Sequence, residues 1–285
     1  MIKWPGEIIT PLARRRAVLL IGSGVSANST NIDGLRPPTW GNFLADAYAA
    51  LGKRVPHIKS SLNRYAYLEA CDYLKQELAA GWPNILRQKF SDPQYRPADI
   101  HKHLLNLDQR IVISLNFDRI YDTYAVGATE GTVSIKNYYD ADIRESVCGQ
   151  DRYILKPHGT IDSISKIIFT LNEYGEARVK YSRFYEIINS LLHTHTFICI
   201  GCGLSDPDMQ ILFEDYKYKF NETPHFILMN SPVSPEQKAL IARTRGMTVL
   251  PYSPRDNHKE LTESLAQLVD LVNDKRAELA VNQNW

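Results

Sequence analysis

Four short polar motifs hold the residue types in this chain that could do chemistry. They are Gly22-Ser23-Gly24-Val25-Ser26, Ser114-Leu115-Asn116-Phe117-Asp118, Pro157-His158-Gly159 and Gly201-Cys202-Gly203-Leu204-Ser205-Asp206. Gly22 and Gly24 let the backbone turn sharply and approach a bound group closely. Amide groups in such a turn can hold phosphate, most readily where a helix begins. The strict G-x-G-x-x-G pattern fails because Ala27 takes the third glycine position, while the looser form with alanine there is met. No Gly-Lys-Ser/Thr follows, so this is not a Walker loop. Taken singly, each motif has a plainer reading. Asn116 and Asp118 could cap a helix, His158 could be a satisfied interior histidine, and Gly201 and Gly203 could form an ordinary turn.

The elements that must position these motifs read as strand alternating with helix. Apolar runs bounded by turn signals predict strands at 17–21, 110–115, 132–138, 152–156, 166–170, 196–200, 225–229 and 248–251. Thr39 reads as the N-cap of a helix to about residue 51. Further helices are predicted over 61–80, around Ile85, Leu86 and Phe90, and over 101–107. Ser182 reads as the cap of a helix to about 192, and Asp206-Pro207-Asp208 opens one to about 220. Helices over 236–245 and 259–279 complete the pattern. The alternation predicts an α/β fold, a Rossmann-like parallel sheet with helices on both faces. Residues 40–107 lack strand signals and read as a helical insert within a single domain spanning 1–285. Tyr65, Tyr67 and Tyr73 are expected to pack within that insert. In a parallel sheet the C-terminal strand ends share one edge, so the four motifs can meet in one crevice, the place where such folds hold a dinucleotide.

The 285 residues include 33 basic and 32 acidic side chains, a formal net charge of +1. That balance gives no bulk argument for nucleic acid or an anionic membrane as partner. Arg14-Arg15-Arg16 is the local exception and reads as a solvated lead-in to the first strand. Cys71, Cys148, Cys199 and Cys202 do not form a paired secretory pattern. With no leader-like or long apolar span, a reducing cytoplasm is the expected compartment. Only Cys199 and Cys202 are spaced Cys-x-x-Cys, so neither a four-thiolate zinc module nor any other metal is expected.

In this order, the motifs resemble the sirtuin superfamily. That family carries a Gly-Ala-Gly-x-Ser turn, then Thr-Gln-Asn-x-Asp, then His-Gly, then a late glycine-serine turn. Here Gly22, Gly24 and Ser26 match the first, Asn116 and Asp118 the second, His158-Gly159 the third, and Gly201 the fourth. Ser23 replaces the alanine, and Cys202-Gly203 replaces Thr-Ser. Protein-deacylating members have the zinc module missing here. The Pro38-Thr39-Trp40 ending and the 203–208 run look like bacterial sirtuin-like NADases of antiphage defence, of the short type that pairs with a HerA-like ATPase.

The resemblance implies hydrolysis of NAD, as substrate, to nicotinamide and ADP-ribose. It implies that Asn116 holds the ribose hydroxyls or the attacking water. Asp118 would hold the carboxamide or the loop geometry, and His158 would be the general base. Gly22, Ser23, Gly24, Val25 and Ser26 would surround the pyrophosphate. Gly201, Ser205 and Asp206 would line the ribose and adenine side, with Asn230 against the adenosine. It also implies a homo-oligomer. The rival readings are an NAD-dependent protein deacylase and a non-catalytic subunit that binds NAD or ADP-ribose.

Overall fold

The computed structural model describes residues 1–282. Seven strands form one sheet: β1 (Ala17–Ile21), β2 (Ile111–Ser114), β3 (Val133–Asn137), β4 (Arg152–Lys156), β5 (Thr196–Ile200), β6 (His225–Asn230) and β7 (Met247–Tyr252). Every pairing is parallel, in the order β3-β4-β2-β1-β5-β6-β7. The alternation thus produces the doubly wound, Rossmann-like architecture that the sequence predicts.

Strand β1 lies at the centre because all five of its side chains are apolar, and all are buried. Successive side chains point to opposite faces. Ala17, Leu19 and Ile21 join the layer formed by helices Gly6–Ala13, Asp99–Asn106 and Arg255–Val281. Val18 and Leu20 join the layer formed by Ser182–Thr194, Pro207–Phe220 and Pro235–Arg245. In register, Ile21 lies beside Ser114 of β2 and Ile200 of β5. From β1 the chain passes to β2 and on to the edge strand β3, comes back to lay β4 between them, and then crosses to add β5, β6 and β7 on the other side. The β1–β5 boundary is therefore the topological switch point, outside which a crevice opens.

Residues 40–90 form helices packed around a third apolar cluster that includes Phe43, Leu44, Leu74, Trp82 and Leu86, whereas Asp99–Asn106, at the end of the predicted insert, packs in the first layer against the sheet. Thr39 caps the helix Trp40–Ala50, accepting from Asn42 N at 3.3 Å. The predicted helix over 61–80 is two helices, Pro56–Asn63 and Tyr67–Leu78, separated where Tyr65 adopts φ +58°. The predicted strand at 166–170 does not form. A 3-10 segment ends at Lys166, and Ile167 and Phe169 plug the helical cluster instead. Their apolar character reflects burial, not pairing. Ser182 begins its helix without capping it, the N-cap position being Tyr181. Arg15 of the triple-arginine run is paired with Asp108 rather than merely solvated.

Candidate active site

The C-terminal ends of β1, β2, β4 and β5 surround a cavity of about 560 Å³. Gly22, Ser23, Ser26, Asn116, Asp118 and His158 form its sheet-side floor, with Gly203, Ser205 and Asp206 from beyond β5. Trp40, Tyr65, Tyr67 and Phe90 of the helical segment form a wall, with Leu171 and Tyr174 beside them. Tyr73, by contrast, packs inside the segment as expected.

The glycine turn serves backbone packing first. Gly22 N donates to Ile200 O at 3.1 Å, and Gly24 N donates to Gly201 O at 2.8 Å. A Cβ on Gly22 would lie 2.6 Å from Cys202 Cβ, and one on Gly24 would lie 2.8 Å from Gly201 Cα. Gly201 itself has φ +62°, and a Cβ there would meet Val25 N at 2.6 Å. The turns after β1 and β5 are thus zipped together, which only glycine permits. The two glycine amides are spent inside the protein, so the part of this motif left to face a ligand is Ser23, exposed at the cavity floor. Gly24, Val25 and Gly201 lie outside the cavity lining, supporting it from behind. Asn230, at the end of β6, is exposed and also outside the lining, which removes the structural basis for an adenosine contact in this arrangement.

Asn116, Ser26 and Asp118 form one directed chain. Asn116 Nδ2 donates to Gly22 O at 2.9 Å and to Ser26 Oγ at 3.0 Å. Ser26 Oγ donates to Asp118 Oδ2 at 2.8 Å, and Asp118 Oδ1 accepts from Ile120 N at 3.0 Å. All three side chains are buried. The chain fixes the Asn116 amide so that Oδ1, with no hydrogen bond to another described residue, is its remaining acceptor. The side chains of Ser26 and Asp118 thus already serve the loop geometry beneath the cavity they line.

His158 follows the end of β4. Its Nδ1 lies 3.0 Å from Leu115 O, an acceptor only, so Nδ1 carries a proton and donates it there. Its Nε2 lies 3.0 Å from Asp206 Oδ2 and 3.2 Å from Tyr174 Oη. Tyr174 Oη donates to the same carboxylate oxygen at 2.9 Å. Burial opposes charging the imidazole, but the Asp206 carboxylate outweighs it and raises the His158 pKa. Burial likewise opposes ionising Asp206, and His158, Met209 N and Tyr174 together hold its pKa below the usual value. The carboxylate at Nε2 thus favours the charged form of the ring, with Nδ1 donating to Leu115 O. Asp206 also caps the helix Pro207–Phe220, accepting from Met209 N at 2.9 Å. The ribose-side role expected for Asp206 thus competes with three contacts it already makes, to His158, Tyr174 and Met209 N. Tyr174 went unread in the sequence. The helix that carries it, Leu171–Lys180, was announced by its Thr170-x-x-Glu173 capping box, which both side chains complete.

Among the described residues, no group of three or more His, Cys, Asp or Glu side chains is placed to hold a metal ion. Cys199 is buried, whereas Cys202 reaches the cavity lining. No helix of the described residues is long and apolar enough to cross a membrane.

A cavity at the switch point of a doubly wound sheet, floored by a glycine turn and by an asparagine and a histidine on adjacent strand ends, defines a nucleotide-type site. Residues 110–250, which include Asn116, Asp118, His158 and Asp206, match the family model of the SIR2-like domain, so this part of the chain is similar to that family. That bears out the sirtuin-like resemblance. The chain is 22% identical over 224 residues to NAD(+) hydrolase ThsA of Enterococcus faecium, covering 76% of this chain and 44% of that protein. It is 23% identical over 278 residues to Defense-associated sirtuin 2 of Bacillus subtilis, covering 93% of this chain and 26% of that protein. The chain spans less than half the length of either relative.

Proposed function

We propose that this chain hydrolyses NAD to nicotinamide and ADP-ribose, and that it does so in antiphage defence as the partner of a HerA-like ATPase. The observation that carries the reaction is the meeting of Asn116 and His158 at one cavity, with the Asn116 amide held in a single orientation. The name of the Enterococcus relative supports the substrate, and that of the Bacillus relative supports the defence role. The ATPase partner rests on the sequence resemblance alone.

In this reading water adds to C1′ of the nicotinamide ribose as the C1′–N bond breaks. The bonding electrons pass to the ring nitrogen, and nicotinamide leaves neutral, so no acid is needed for the leaving group. The transition state is oxocarbenium-like, as in other glycosidic cleavages. Asn116 Oδ1 orients the ribose hydroxyls or the water. His158 Nε2, once the ring has lost its second proton to solvent and is neutral, takes the proton that the water loses. Ser23, Gly203 and Ser205 face the pyrophosphate and ribose, while the aromatic wall covers the rings.

NAD consumption, followed by chromatography across protein concentrations with and without the neighbouring ATPase, tests this. Asn116→Ala is expected to abolish turnover while the thermal midpoint and circular dichroism stay near wild type. Unchanged NAD under every condition sinks the proposal. A second reading is favoured by one observation, the His158–Asp206 pair: a subunit that binds NAD or ADP-ribose without turning it over. Calorimetric binding together with undiminished NAD would establish it.

A further inference from the structure

Lys156 is the last residue of β4, two residues before His158, and it is fully buried. Its ammonium donates to Asp118 O at 2.8 Å and is paired with the Asp122 carboxylate on the helix Ile120–Ala128. Asp122 is itself buried. A buried ion pair is weak evidence for stability, since apolar side chains of similar volume often serve as well or better. What this pair does instead is join two parts of the site. The loop that carries Asn116 offers three carbonyls to the segment that carries His158. Leu115 O lies 3.0 Å from His158 Nδ1, Phe117 O accepts from Ile161 N at 2.7 Å, and Asp118 O accepts from Lys156. The first two ties flank the cavity, and the third comes from beneath.

We infer that Lys156 is a positioning residue: its ammonium clamps the Asn116–Asp118 loop against the His158 strand end and sets the spacing between the two groups. The inference rests on the proposed NAD hydrolysis for its catalytic consequence, but the clamp itself does not. Lys156 touches neither cavity nor substrate, so its loss should leave binding intact. Small misplacements of catalytic groups, however, cost rate steeply.

The test is the double variant K156M/D122N, which removes the tie without leaving one buried charge unpaired, alongside K156M alone. In the double variant, kcat for NAD is expected to fall about tenfold or more with KM changed less than about twofold. Amide exchange over 116–120 should rise at an unchanged thermal midpoint. Wild-type kcat and wild-type exchange in the folded double variant would overturn the inference. So would a loss shared by KM and the thermal midpoint, which marks a merely structural residue. If the wild-type protein never consumes NAD, the proposed function fails, and the exchange measurement alone still decides whether Lys156 is the clamp.

Discussion

Asn116 and His158 differ in readiness. The asparagine is held by Gly22 O and Ser26 Oγ, with Oδ1 left uncommitted. The histidine is occupied at both nitrogens. Its raised pKa means that the neutral base appears only above the ordinary imidazole range, about pH 6.5. The log of kcat/KM for NAD should therefore climb along an alkaline-shifted limb. Asp206→Asn removes the carboxylate while burial remains, so the limb should move to lower pH. A limb that stays in place shows that another group titrates. The same pair affects stability with a definite sign. The His158 contribution is full below about pH 6.5 and is lost as pH rises through the raised folded value. The Asp206 contribution is full above about pH 3.9 and is lost as pH falls through the lowered folded value. Thermal melts across pH should show the wild type gaining most over Asp206→Asn between those limits. Asn116 and His158 were legible in the sequence because they follow apolar strands directly. Tyr174 was not, because its contact with Asp206 joins residues 32 apart through tertiary packing.

At the scale of elements, the turns after β1 and β5 behave as one unit. Gly24→Ala would press a methyl group against the Gly201 backbone, with no flexible side chain to yield. Overpacking of this kind costs about 1–3 kcal/mol, measurable by urea denaturation. A neutral result would mean that the two turns can separate. The strands were legible because fully covered parallel strands are continuous apolar runs. The 166–170 segment shows where that rule fails, since a plug into another layer is as apolar as a strand. Short helices were harder. Pro56–Asn63 buries only Ile58 and Ser61, too few residues to leave a periodic signal. The role of the glycines was legible only in part. Their spacing pointed to a tight turn, but which backbone they approach depends on β5 lying beside β1.

At the scale of the molecule, the cavity has two sources, a floor from the sheet edge and a wall from the helical segment 40–107. Phe43 supports that wall, with ring centroids 6.1 Å from Trp40 and 5.1 Å from Phe90. Phe43→Ala should cost about 3–5 kcal/mol and raise KM for NAD, as melting and steady-state kinetics would show. A raised KM is expected because Trp40 and Phe90 lose their backing while Asn116 and His158 do not. Strand order carries one more consequence. The central strand β1 is synthesised first, but its neighbour β5 comes only after β2, β3 and β4. Until the ribosome has passed residue 206, the growing chain has neither Gly201 and Cys202, which close against Gly22 and Gly24, nor the partner of His158. On the proposed reading, the chain is therefore inert while it is being made, and its site is complete only once the second half of the sheet has been synthesised and docked.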